Sequence, residues 1–194
     1  PRMGATDVCP LVPVSGIDMD GCAELARTLA ERVGRELGIP IYLYEHAASR
    51  PERQNLAEVR AGEYEGLPSR VGNPDWTPDF GPDTFNEKSG ATAIGARPFL
   101  IAYNINLNTR NTKKAMKIAA LVREKGIFRK ENGKVIRDAD GNGIRDPGVF
   151  KCVKGIGWYI EEYGRCQVSL NLTNYEVSPM HEVLEEPRRF ALEE

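Results

Sequence analysis

The sequence lacks long apolar runs, and it has no excess of basic residues. A membrane-spanning helix needs about 20 consecutive apolar residues, and no stretch approaches that length. The 26 Lys and Arg residues face 28 Asp and Glu residues, so the net charge is −2 with neutral histidines. This balance excludes a strongly basic nucleic-acid-binding protein. We therefore expect no membrane partner and no nucleic-acid partner.

Cysteine and histidine are also scarce. No Cys-x-x-Cys spacing joins the four cysteines, and neither histidine is placed to complete a zinc site with them. We expect reduced thiols, no metal site and a cytoplasmic protein. The chain begins with Pro1 rather than Met, so we also expect it to be part of a longer protein.

The hydrophobic pattern of the first half predicts a β-α-β unit. A strand is expected within residues 7–14, where two prolines favour the edge of a sheet. Apolar residues then recur at helical spacing over residues 20–38. Residues 41–44 are β-branched, aromatic or leucine and predict a second strand. A short helix is predicted within residues 51–62.

The segment from Gly66 to Gly95 interrupts this periodicity. It holds five glycines and four prolines, and few of its apolar residues recur at a helical or strand spacing. This composition predicts a long loop, and long loops in compact domains are usually functional.

The second half predicts the order strand, helix, strand, strand, helix. The strands are expected at residues 99–107, 153–162 and 167–173, and the helices at residues 112–126 and from Ser178 onward. This order is most of a ferredoxin-like β-α-β-β-α-β unit. The sequence therefore predicts an α+β protein.

Residues 127–150 are polar, contain several glycines and predict an inserted hairpin or loop. Within them, Asp138, Asp140 and Asn142 alternate as at the start of an EF-hand calcium loop. Position twelve of that loop is Val149 rather than Glu, so we favour a glycine-containing hairpin tip over a calcium site.

Three stretches of the sequence resemble the formiminotransferase domain of the glutamate formimidoyltransferases. Residues 1–10 (PRMGATDVCP) resemble the family signature H-P-R-x-G-A-x-D-V-C-P, and residues 60–65 resemble its R-A-G-E-Y-E segment. The third stretch runs from Asp75 to Leu107, and the resemblance resumes at residues 155–159 (GIGWY). Coincidence does not explain a resemblance that spans most of the chain.

The resemblance implies two ferredoxin-like α/β subdomains, with helices packed on β-sheets and a folate-binding cleft between them. Residues 1–97 would form the C-terminal portion of the N-subdomain. Residues 98–194 would form an incomplete C-subdomain in which residues 127–150 are an insert. The family forms homo-oligomers, so we expect a homodimer.

The resemblance also implies transfer of a formimino group from N-formimino-L-glutamate to tetrahydrofolate, a step of histidine degradation. Tetrahydrofolate would be a co-substrate, and glutamate would be released. The family's catalytic His would immediately precede Pro1, and neither His46 nor His181 corresponds to it. Two alternatives remain, namely a non-catalytic folate-binding relative and a folate-dependent transferase with a different one-carbon donor.

The family's folate-binding stretch corresponds to ten consecutive residues of this chain, which are Gly81, Pro82, Asp83, Thr84, Phe85, Asn86, Glu87, Lys88, Ser89 and Gly90. Glycines let backbone amides approach a flat ring, Phe85 can stack on it, and the polar side chains can bind an aminopyrimidine edge. Arg2 and Asp7 lie beside the expected catalytic His, and we predict that they orient it or bind the substrate's carboxylates.

Each of two further polar features can be interpreted either as part of a ligand site or as a solvated surface. Residues 111–137 hold nine Lys or Arg against two Glu, a local excess of 9 − 2 = 7 positive charges. This patch predicts either a site for the glutamate tail of a folate or a solvated helix face. Asn104 and Asn106 share one face of a predicted strand and either line the cleft or are solvated.

Overall fold

The computed structural model describes residues 2–193, which fold as two compact units, and the chain passes from the first to the second between Pro98 and Phe99. The elements of the first unit are β1 (Val8–Leu11), α1 (Met19–Leu37), β2 (Ile41–Glu45), α2 (Leu56–Val59), α3 (Glu63–Arg70) and β3 (Thr92–Ala96). Those of the second unit are β4 (Ile101–Asn106), α4 (Thr112–Val122), β5 (Ile127–Phe128), β6 (Lys130–Glu131), β7 (Lys134–Val135), β8 (Arg145–Asp146), β9 (Val153–Ile160), β10 (Arg165–Leu172) and α5 (Met180–Glu193). This mixture confirms the α+β class.

The first unit is built on a parallel three-stranded sheet of order β1-β3-β2. Helix α1 connects β1 to β2 and buries a stripe of small residues that includes Ala23, Ala26 and Ala30. Its N-cap is Asp18, whose carboxylate accepts the backbone N–H of Gly21 at 2.8 Å. The predicted β-α-β unit is therefore confirmed.

The long loop predicted from Gly66 to Gly95 is partly wrong. Helix α3 and strand β3 both extend into it, and β3 is the central strand of the sheet. All five residues of β3 are buried. Its sequence, TAIGA, is rich in Ala and Gly, which have low strand propensity, so local preference does not reveal it. A methyl group on Gly95 would overlap the carbonyl oxygen of Tyr44, which explains why this position of the strand needs glycine.

The predicted short helix within residues 51–62 is divided into two pieces. Residues Pro51–Arg53 form a 3₁₀ turn, and α2 follows after two residues. Asn55 separates the pieces because its side-chain oxygen accepts the N–H of Ala57 at 3.1 Å and caps α2.

The parallel pairing of the first sheet differs from the ferredoxin-like arrangement that the resemblance implies for this unit. In a ferredoxin-like unit the second and third strands form an antiparallel hairpin. Here β2 and β3 are joined by residues 46–91, which include α2 and α3, so β3 can return parallel to β2.

The second unit is built on an antiparallel sheet of order β4-β10-β9. Helices α4 and α5 contribute to its core, in which Ile118, Val168, Leu170 and Val183 are buried. A methyl group on Gly157 would overlap the backbone of α4, so helix and strand lie in direct backbone contact. The predicted order strand, helix, strand, strand, helix is confirmed.

The insert consists of two small antiparallel pairs, β5 with β8 and β6 with β7. The segment that resembles a calcium loop is a hairpin tip closed by an antiparallel bridge between Arg137 and Gly143. The carboxylate of Asp138 accepts the backbone N–H groups of Asp140 (3.0 Å) and Asn142 (2.8 Å). The predicted hairpin tip is therefore confirmed. Among residues 2–193, no helix combines the length and apolar character needed to cross a membrane.

Candidate functional site

The segment before β1, residues 2–7, is bound to the loop formed by residues 81–90. We call them the N-terminal segment and the 81–90 loop. The N–H of Ala5 donates to the carbonyl oxygen of Ser89 at 2.9 Å. Directly after the loop, the N–H of Ala91 donates to the carbonyl oxygen of Met3 at 3.0 Å. Two regions that the sequence singled out separately therefore form one structure.

Glycine is required at both ends of the 81–90 loop. Gly81 and Gly90 have φ angles of 83° and 62°, which side chains other than glycine rarely adopt. A methyl group on Gly90 would also overlap the carbonyl oxygen of Met3, and one on Gly81 would overlap that of Ile39. These glycines serve close packing of the loop against its own protein.

Asn86 organises the interior of the loop. Its side-chain oxygen accepts the N–H groups of Lys88 (3.1 Å) and Ser89 (3.0 Å), and its side-chain nitrogen donates to the carbonyl oxygen of Gly38 (3.3 Å). Its backbone carbonyl also accepts the N–H of Gly90 at 2.7 Å. The amide is therefore engaged within the protein.

The remaining polar side chains of the loop are more accessible. The carboxylate of Asp83 accepts the N–H of Gly72 at 3.3 Å. Asp83, Thr84, Glu87 and Lys88 are exposed, and Phe85 is half-buried.

Tyr64 connects the 81–90 loop to the N-terminal segment, and sequence reasoning gave it no role. Its hydroxyl donates to the carbonyl oxygen of Glu87 at 2.8 Å, and its N–H donates to that of Arg2 at 2.9 Å. Its ring packs against Phe85 with centroids 5.4 Å apart and planes inclined by 55°. The sequence held a signal for such a role, because Tyr64 lies in the segment that resembles the family's R-A-G-E-Y-E stretch.

We expect Tyr64→Phe to loosen the 81–90 loop without unfolding the first unit. The change removes one hydrogen bond while the ring contact with Phe85 remains, so the free energy of unfolding should fall by about 0.5–1.5 kcal/mol. Hydrogen–deuterium exchange at the backbone amides of residues 81–90 should become faster, and chemical denaturation gives the change in stability. Tyr175→Phe, at an exposed position of the second unit, is the matched control. Equal exchange rates in the two variants would contradict the prediction.

Asp7 and Arg60 fix the N-terminal segment from the other side. One carboxylate oxygen of Asp7 accepts the N–H of Met3 at 2.8 Å and the Nε–H of Arg60 at 3.2 Å. The other oxygen forms an ion pair with the guanidinium of Arg60. The Arg2 side chain is exposed. The structure thus gives Asp7 a partner that sequence reasoning did not assign, and leaves Arg2 accessible.

A buried ion pair anchors the chain that leads into the loop. Arg53 is 2% exposed, and it contacts the carboxylate of Asp79 at 2.7 Å and the carbonyl oxygen of Thr77 at 2.8 Å. Asp79 also accepts the N–H of Leu43 in β2 at 2.8 Å. Residues 77–79 are therefore attached directly to the sheet.

Tyr42 adds a second attachment of the same segment. Burial raises the pKa of its hydroxyl, and the nearby Arg53 opposes that shift. The hydroxyl therefore stays protonated near neutral pH and donates to the carbonyl oxygen of Trp76 at 3.0 Å.

The second unit carries a row of hydrogen-bonded side chains across one face of its sheet. Gln167 donates to Asn106 at 2.8 Å and accepts from Ser169 at 3.0 Å, and Ser169 accepts from the Trp158 indole at 2.9 Å. Asn104 lies on the same face and is exposed.

The histidines and the basic patch complete the set of polar residues that the sequence singled out. His46 and His181 are both exposed. In the basic patch, Lys113 and Lys117 are exposed on α4, whereas the guanidinium of Arg123 donates to the carbonyl oxygen of Gly155 at 3.0 Å. No group of three His, Cys, Asp or Glu side chains within residues 2–193 is arranged to hold a metal ion.

The fold and the site define an α+β protein with two structurally different units. In the first unit, hydrogen bonds attach the N-terminal segment, which carries the signature, to the 81–90 loop, which has a glycine at each end. Comparison with protein families identifies it further. The formiminotransferase domain, N-terminal subdomain, matches residues 1–97, and the formiminotransferase domain matches residues 102–193. The chain belongs to the formiminotransferase domain family.

Curated relatives agree with this assignment. The chain is 47% identical to a formimidoyltransferase-cyclodeaminase of Rattus norvegicus over 193 residues, which are 100% of this chain and 33% of that protein. It is 42% identical over 196 residues to a glutamate formimidoyltransferase of Streptococcus pyogenes serotype M1, covering 99% of this chain and 58% of that protein. It is also 42% identical over 187 residues to a glutamate formimidoyltransferase of Thermoplasma acidophilum, covering 95% and 54%. The chain thus spans about a third of the animal relative and little more than half of the microbial ones.

Proposed function

We propose that the whole protein transfers a formimino group from N-formimino-L-glutamate to N5 of tetrahydrofolate, and that this chain contributes the folate-binding loop. The observation that carries the proposal is the attachment of the 81–90 loop to the N-terminal segment, through the Ala5–Ser89 and Ala91–Met3 hydrogen bonds. The loop corresponds to the family's folate-binding stretch, and the segment corresponds to the signature that follows its catalytic His. Relatives named glutamate formimidoyltransferase support the same activity.

The proposed reaction needs one general base and a fixed geometry. N5 of tetrahydrofolate attacks the formimino carbon, a tetrahedral intermediate forms, and the bond from that carbon to the glutamate nitrogen breaks. The base removes the proton from N5 and returns one to the glutamate nitrogen that leaves. We place this base, the family's His, directly before Pro1.

Asp7 and Arg60 act as positioning residues in this proposal. Their ion pair and the hydrogen bond from Met3 to Asp7 hold the backbone that follows the base. A fixed backbone keeps the reacting atoms aligned, which is a large part of catalysis by proximity. Arg2, which is exposed beside them, is suited to bind a substrate carboxylate.

The 81–90 loop offers a pterin two kinds of contact in this proposal. Phe85 supplies an aromatic ring beside Tyr64, and the exposed Thr84, Glu87 and Lys88 supply donors and acceptors. Since Asn86 is engaged within the loop, we assign it a structural role instead.

We propose further that the second unit is ferredoxin-like, and that the whole protein is a cytoplasmic homodimer. The antiparallel order β4-β10-β9 and the two helices that pack with it support the ferredoxin-like assignment.

The decisive experiment is a formimino-transfer assay with N-formimino-L-glutamate and tetrahydrofolate. It compares the full-length protein, this chain and a full-length variant with Ala directly before Pro1. We expect transfer by the full-length protein only, with tetrahydrofolate binding retained in all three. A full-length protein that binds tetrahydrofolate without transfer would contradict the proposal and favour a non-catalytic relative or another one-carbon donor.

A further inference from the structure

A surface cavity of about 350 Å³ lies in the second unit, between the β9–β10 turn and the loop that joins β4 to α4. Its lining consists of Asn108, Thr109, Arg110, Tyr163, Gly164 and Arg165. Two arginines therefore line the cavity, and none of its lining residues within the described part of the chain is Asp or Glu.

The two guanidinium groups are held by neutral acceptors. Arg110 donates through Nε to the carbonyl oxygen of Gly164 at 3.2 Å, and Arg165 donates through Nη1 to the side-chain oxygen of Asn108. Within residues 2–193 neither arginine forms an ion pair with a carboxylate, although Glu161 and Glu162 lie in the β9–β10 turn. Since an arginine carries five N–H donors, each keeps donors for a further acceptor.

The backbone around the cavity is fixed before any ligand binds. The N–H of Leu107 donates to the carbonyl oxygen of Cys166, and the N–H of Cys166 donates to that of Thr109, both at 2.8 Å. These bonds attach the β4–α4 loop to β10. A preformed site loses less entropy on binding than one that must be ordered.

Helix α4 adds positive potential near the cavity. Its first turn contains Lys113 and Lys114 and no acidic residue. The N-terminus of a helix carries a partial positive charge and favours carboxylates, so lysines are unfavourable there. A bound anion would offset both the lysines and the guanidinium groups.

We propose that this cavity binds a carboxylate of a glutamyl group, and that Arg110 and Arg165 bind it directly. The guanidinium fork matches the two oxygens of a carboxylate, which favours it over a monodentate anion. The glutamyl identity rests on the proposed function, because N-formimino-L-glutamate and the folate tail both carry glutamate. The anion site itself rests on the cavity and its two arginines.

The test titrates the whole chain with three probes, namely N-formimino-L-glutamate, p-aminobenzoyl-L-glutamate and glutarate. Calorimetry gives the affinity, and backbone amide shifts of Thr109 and Gly164 locate the site. We expect Arg110→Gln and Arg165→Gln each to weaken binding about tenfold or more, because charge-assisted hydrogen bonds are lost. Arg110→Lys should weaken it less, since the charge remains while the fork is lost. Arg188→Gln on α5, where Arg188 pairs with an exposed Glu185, is the matched control and should change nothing.

The probes distinguish a formimino-donor site from a folate-tail site. They also distinguish failure of the anion site from failure of the proposed function. If the glutamine variants bind only N-formimino-L-glutamate more weakly, the cavity is a donor site. If they bind only p-aminobenzoyl-L-glutamate more weakly, it is a folate-tail site. If glutarate shifts the amide signals of Thr109 and Gly164 while the full-length protein shows no transfer, the anion site is supported and the proposed function fails. Unchanged affinities in both glutamine variants, or shifts confined to other residues, would overturn the inference.

Discussion

Asp79→Asn is expected to lower the free energy of unfolding of the first unit by about 3–5 kcal/mol, because it leaves the Arg53 charge buried without its partner. Arg53 is 2% exposed, so water cannot replace the carboxylate. The same substitution weakens the acceptor of the Leu43 N–H in β2. We therefore expect the largest loss of stability where the chain that enters the 81–90 loop is attached to the sheet.

The measurement is chemical denaturation followed by tryptophan fluorescence. The chain has two tryptophans, and only Trp76 lies in the first unit, so a Trp158→Phe background isolates its signal. Asp146→Asn is the matched control, because Asp146 pairs with Arg129 at 2.5 Å with both side chains about half exposed. The control should show no measurable change, since exposed pairs contribute little. Equal stabilities of the two variants would contradict a stabilising role for the buried pair.

The sequence predicted those elements whose residues agree locally with their structure. Helix α1 has helical periodicity, an Asp cap and a glycine stop, and it was predicted nearly to its ends. Strand β3 has none of these signals, because its Ala and Gly residues are selected by burial between two other strands. Such a strand is defined by its neighbours, and a single sequence does not show which neighbours it has.

The site was predictable only in part, for a related reason. The resemblance located the N-terminal segment and the 81–90 loop, but their contact joins residues far apart in the chain. The ion pair of Asp7 with Arg60 spans 53 positions, and the hydrogen bond of Tyr64 with Glu87 spans 23. Neither pairing leaves a periodic signal. The functions assigned to the loop's glycines and to Asn86 from chemistry alone therefore overlooked their packing inside the protein.

Gly90→Ala tests whether that packing supports the proposed function, and we expect it to damage both stability and the proposed transfer. A residue with a side chain at a φ of 62° costs about 1–2 kcal/mol. Overlap of the new methyl group with the Met3 carbonyl should add about 1–3 kcal/mol, because backbone must move on one side or the other. That movement separates the 81–90 loop from the N-terminal segment. Since a displacement of about 1 Å can reduce a rate about 100-fold, transfer by the full-length protein should fall by that order.

Gly16→Ala distinguishes the lost contact from backbone strain alone. Gly16 has a φ of 72°, and a methyl group there would meet no atom within 4 Å. It should therefore lose about the same 1–2 kcal/mol from strain while tetrahydrofolate affinity and transfer remain unchanged. The comparison is made on folded full-length variants, below the temperature at which either begins to unfold. If Gly90→Ala retained normal transfer there, the junction of the loop and the segment would be structural only, and the observation that carries the proposed function would lose its force.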